Sequence, residues 1–220
     1  MNGNEALDIL MARLARTTSA LRTTAVQEMN LLMHQKLEFG VSPPWFLLND
    51  SQTTVTVSGQ EWAALPTGFI RFDDDAEVGG VWREDLTVTG NDPWVKLDRS
   101  GYNKMKDYYA TEDSGGAPIV YDLLLARIYL RPVPDDGYTL RILGYFADSD
   151  CADAASTNLW LTYAPDVLIA ETAQHLARTH LRNAELAQSF EVDRVAARNR
   201  LYRAHVAFIE SMKSREMGDD

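Results

Sequence analysis

Scarcity bounds this sequence before any motif does. Cysteine occurs once, at Cys151, so no internal disulfide can brace the fold, which fits a reducing compartment. Lys and Arg number 21 against 32 Asp and Glu, a net charge of -11. A chain this acidic does not grip nucleic-acid phosphates, because that affinity comes from neutralising them with Lys and Arg. It can still face DNA as a repelling wall. No run approaches the roughly 18 apolar residues of a membrane-spanning helix. The opening Met1-Asn2-Gly3-Asn4-Glu5 lacks the basic region and apolar core of a signal peptide. The expectation is a soluble chain made in the cytoplasm, with no membrane partner.

Catalytic signatures are equally scarce. There is no Gly-x-Ser-x-Gly, no Walker loop, no Gly-x-Gly-x-x-Gly and no His-Glu-x-x-His. Cys151 sits among acids, which disfavour its thiolate. The four histidines are His34, His175, His180 and His205, read as surface or interface groups. Glu171 and His175 stand four apart and could share a metal, but two ligands make no site. Asp73-Asp74-Asp75 with Glu77 is the densest carboxylate cluster. Calcium loops alternate their ligands around a glycine, and these acids are contiguous, so an exposed acidic loop is the better reading. The expectation is no enzyme, no cofactor and no metal. Two alternatives stay open: a metal-dependent enzyme using Asp73 to Asp75, and a carbohydrate-binding module built on the tryptophans Trp45, Trp62, Trp82, Trp94 and Trp160.

What is present is a three-part layout. Residues 1–40 read as helix, with Leu7, Leu10, Met11 and Leu14 on one face and Val26, Met29, Met33 and Leu37 on the next. Asn4 is the expected cap, and Thr17-Thr18-Ser19 a weak point or turn. Residues 41–156 turn to β patterning and hold 9 basic against 19 acidic groups, most of the charge excess. Thr54-Val55-Thr56-Val57 alternates. Ala126 to Arg131 and Tyr138 to Ile142 alternate around Pro132-Val133-Pro134-Asp135-Asp136-Gly137, which reads as a hairpin. Gly101 to Tyr109 reads as a short helix, and 148–158 as a polar linker. Helix returns over 157–220. Pro165-Asp166 starts one helix and Asn183 caps the last. Leu186, Phe190, Ala197, Leu201, Ala204 and Phe208 form the last helix's stripe, widened by Val195, Tyr202 and Ile209. Arg194, Arg198 and Arg203 fall on its solvent or partner side. The predicted fold is α+β: a helical bundle from both chain ends with an inserted antiparallel β-rich domain.

Several segments, taken in order, carry a resemblance. Asn30 lies among leucines in the first helical part. Trp62, Leu65-Pro66 and Phe69 follow, then Gly116-Ala117-Pro118-Ile119-Val120-Tyr121. Ile128 to Asp135 ends in Pro-Val-Pro, and Tyr138-Thr139-Leu140 precedes Tyr145 and Phe146. Asn158-Leu159-Trp160-Leu161 and Ala164-Pro165-Asp166-Val167-Leu168 complete the series. Spread over nearly the whole chain, this order resembles the tailed-phage head-to-tail adaptors, including podophage tubular gatekeeper proteins. The acidic stretch from Asp73 to Asp85 departs from that pattern. The resemblance implies a structural subunit of the virion neck and tail, assembled in the host cytoplasm. It implies a homo-oligomeric, dodecameric ring under the portal protein, with a tail or nozzle protein below and DNA passing through without tight binding. On that reading the docking segment is the end of the last helix. Phe208, Ile209 and Met212 sit there with Arg203, Lys213 and Arg215 around them, near a chain end with little local sequence to cover them.

Overall fold

The computed structural model describes residues 1–16, 18–35, 43–72, 79–85, 87, 93–109, 115–150 and 157–216, with only the backbone at 35, 108–109 and 212–216. The chain divides into two compact units, Met1–Leu47 with Ala147–Asp220, and Leu48–Phe146. Together they make an α+β protein, as the periodicities predict.

The first unit is helical. Helix α1 spans Gly3–Arg13 and α2 spans Ser19–Gln35. Asn2, not Asn4, caps α1: its side chain accepts from Glu5 N at 2.9 Å, and the Glu5 carboxylate accepts from Asn2 N at 3.0 Å. This reciprocal capping box starts the helix two residues earlier than expected. Leu7, Leu10, Met11 and Leu14 are all buried, as are Met29 and Met33; Leu37 lies outside the described residues. The chain leaves α1 at Leu14, Ala15 takes φ +48, and Arg22 of α2 reaches back to Asp8 of α1 at 2.6 Å.

After the β unit, α4 spans Leu159–Tyr163, α5 Pro165–Thr179 and α6 Ala184–Glu216. Two polar residues of the expected linker act as caps. Asn158 accepts from Leu161 N at 2.8 Å, and Asp148 accepts from the backbone of Leu159 and Trp160. Asn183 Oδ1 accepts from Leu186 N at 3.0 Å, the cap the sequence predicts. Helix α5 is central, packed against α1, α2, α4 and α6. Val167 through Ala173 are buried without interruption, so this helix has no solvent face over two turns. The stripe of α6 is corrected in two places. Ala204 is exposed and His205 is buried in its stead, while Val195 and Tyr202 stand in solvent.

The second unit is built of two sheets. Strands β1 (Leu48–Val55), β9 (Thr139–Phe146), β4 (Gly80–Glu84) and β5 (Trp94–Lys96) form one in that order, with β3 (Phe69–Arg71) also on β9. The other runs β2 (Trp62–Ala64), β8 (Arg127–Arg131), β7 (Val120–Leu124) and β6 (Asp98–Arg99). Helix α3 spans Tyr102–Tyr109, where the short helix was expected. Val81, Leu97, Tyr121, Ile128, Leu130, Leu140 and Ile142 make the core. Gly144 lets β3 approach β9: a Cβ there would stand 2.9 Å from the Arg71 carbonyl oxygen.

The expected hairpin does not form. Strand β8 pairs with β2 and β7, while β9 pairs with β1, β3 and β4, so the two alternating segments lie in different sheets. The residues between them are held instead by the chain after β1. Gly59 N donates to the Pro134 carbonyl at 2.7 Å, and Thr56 Oγ1 donates to the Asp136 carbonyl at 2.8 Å. That bond explains another inversion: Thr56 is buried, while Val55 and Val57 are exposed. The tight hairpin in this unit joins β7 to β8 through Leu125 and Ala126, at φ +51 and +59, positions where glycine or asparagine would signal a turn.

Candidate functional site

The predicted partner segment lies in α6, which remains helical to Glu216. Its cover comes from a distant stretch of chain. Trp45, in the 3-10 turn Trp45–Leu47, stacks on Phe208 at 6.1 Å between ring centroids and lies 6.3 Å from the His205 ring. Phe46 stands beside it, edge-on to Trp160 at 5.3 Å and stacked on Tyr163 at 5.4 Å. Trp160 is buried and Tyr163 is 54% exposed, with Leu159 also exposed. The cluster is thus closed at its base and open at its rim. Aromatic rings so arranged combine apolar area with little conformational entropy, the composition of binding hot spots.

Of the predicted interface residues, Phe208 and Ile209 are half-buried and Arg203 is exposed. The side chains of Met212, Lys213 and Arg215 lie outside those described. Sequence reasoning missed Trp45 as the neighbour of Phe208, because more than 150 residues separate them, and with it Phe46 and Tyr163, which pack on Trp45. It also gave His205 a surface or interface role, whereas within this chain it is buried beside Trp45.

Glu171 and His175 turn to different partners. Glu171, buried in α5, receives Arg198 Nε and lies 3.5 Å from Arg194 Nη1, so these arginines of α6 serve the interior rather than a partner. The Arg194 pKa is raised above its ordinary range, first by its hydrogen bond to Glu191 and then by the Glu171 charge. His175 and His180, five residues apart, both turn to Glu28 of α2, at 3.3 and 3.7 Å. Among the described residues no three His, Cys, Asp or Glu side chains could hold a metal ion. Asp73, Asp74, Asp75 and Cys151 lie outside the described residues.

The β unit's tryptophans do not form an open sugar platform. Arg127 covers Trp62 at 3.9 Å, Arg141 covers Trp94 at 4.7 Å, and Lys96 lies over Trp82 at 5.4 Å. No described helix is long and apolar enough to cross a membrane.

Among curated proteins, none matches this chain. A family model described as SU10 adaptor protein matches residues 5–215. Membership implies contacts with portal and tail components, self-association and a place in the virion neck, and it speaks for a structural rather than an enzymatic role. Because the match takes in both helical ends and everything between them, the chain belongs to the SU10 adaptor protein family, a family of phage head-to-tail adaptors.

Proposed function

We propose that this protein is a ring subunit docked under the portal, in a dodecamer assembled in the host cytoplasm, that receives a tail or nozzle protein below and lets DNA pass through its centre. The portal contact is the open aromatic rim with the end of α6: Arg203, Phe208, Ile209, Met212, Lys213 and Arg215, joined by Tyr163. The half-exposed cluster of Trp45, Tyr163 and Phe208 carries this reading, since rings held rigid by a buried base dock without further ordering cost. The charge of -11 per subunit disfavours tight phosphate contacts, so DNA is guided rather than held.

The test uses substitutions at exposed positions, because truncation after Arg203 would also remove His205 and Phe208 from the cluster. Combining Tyr163→Asp with Arg203→Glu is expected to weaken binding to purified portal by at least about 10-fold, the loss of one hot spot, with the circular dichroism spectrum unchanged. Undiminished binding by a folded variant would place the portal contact elsewhere.

A further inference from the structure

Helix α6 carries two stripes, and one of them is open. Phe190, Ala197, Leu201 and His205 are buried. On another face, Val192, Val195, Asn199, Tyr202 and Val206 recur at alternating spacings of three and four. That is the 3.5-residue period of a seam that meets another helix. Val192 is 68% exposed, Val195 45% and Tyr202 54%. Of the charges that flank the seam, Glu191 pairs with Arg194 at 2.9 Å and Arg198 with Glu171, while Arg203 and Glu210 stay exposed at its edge. A second uncharged face lies on α2, where Ala20, Thr23, Gln27 and Leu31 are exposed. Both helices pack on α5 through their buried stripes, so both open faces point away from it. At the helical rise per residue, the α2 face runs about 17 Å and the α6 seam about 21 Å.

We infer that these faces are the two halves of one contact, in which the α6 seam of one copy lies on the α2 face of the next. The inference rests on the reading of the chain as a ring subunit and names the surface that closes the ring. An isologous dimer needs one self-complementary face; a heterologous contact needs two different faces on one body, and its repetition makes a ring where the rotation closes. Both faces here belong to one compact unit. Joining two uncharged faces buries no unpaired charge. Asn199, alone among apolar seam residues, sets the register, as a single polar residue does in a helical seam.

Chemical cross-linking tests this in a Cys151→Ser background. Gln27→Cys and Asn199→Cys, at the centres of the two faces, are combined in one chain, and each is also made alone. All are treated with a short flexible bismaleimide, free at high concentration and after mixing with portal. The double variant is expected to give a ladder of dimer, trimer and higher species, and each single variant to stay monomeric. Dimers from Asn199→Cys alone would show an isologous pairing and overturn the inference. Monomers from the folded double variant, in both conditions, would overturn it as well. Portal binding is read separately by co-sedimentation. A ladder without portal binding keeps the seam and defeats the docking reading, and portal binding without a ladder does the reverse.

Discussion

Replacing Arg194 and Arg198 together by alanine will destabilise the helical unit by about 3–5 kcal/mol, the cost of leaving a buried charge without its partner. The Glu171 side chain is 4% exposed, so removing both guanidinium groups takes two ion-pair partners from a buried carboxylate. Arg198→Ala alone costs less, because Arg194 remains 3.5 Å away. Glu171→Met tells the two parts of the effect apart. It removes the charge, fills similar volume, and lets two partly exposed arginines turn to solvent, so its cost stays under about 1.5 kcal/mol. Urea titration of the four proteins checks the order. A double-alanine variant within about 1 kcal/mol of the native chain, or a Glu171→Met variant as damaged as the double variant, would refute this account of α5 and α6.

The β unit will lose stability above about pH 10, and Tyr121 is a cause that can be isolated. The ring lies in the core, 3% exposed. Burial pushes its phenol from the ordinary 10.0 up to about 12; Arg99 opposes the shift and Asp122 adds to it. The folded state therefore holds the proton more tightly than the unfolded chain does. Its contribution is fully present below about pH 10, falls through the interval up to about 12, and amounts to about 2–3 kcal/mol at two pKa units. Tyr121→Phe cannot ionise. The stability of the native chain relative to this variant, measured by urea titration at neutral pH and near pH 11, should shift towards the variant at high pH. A difference that does not move with pH would mean that the phenolate finds solvent in the folded state.

Those two effects mark what the sequence could and could not convey. The change from a period near 3.6 to a period of 2 and back made the order of helical and β segments legible. Pro165 and Asn183 announced their helices because capping and first-turn chemistry are local. Local reasoning failed wherever the partner was distant. Ala126 to Arg131 and Tyr138 to Ile142 look like a hairpin because turn residues join them, yet each finds a better neighbour in a different sheet. The partner of Glu171 was not legible either, since Arg198 stands 27 residues away on another helix. Phe208 looked uncovered because Trp45 is remote in sequence. The alternation at Thr54 to Val57 inverted because a hydroxyl with two backbone partners, Asp136 and Tyr138, can be buried while a valine is left out.

Electron microscopy of the native chain mixed with the portal of the same phage tests the central claim most directly. The account predicts a closed ring of this protein seated on one end of the portal, with an open channel along the shared axis. Portal particles that emerge unchanged, with the chain left in solution at saturating concentration, would contradict it.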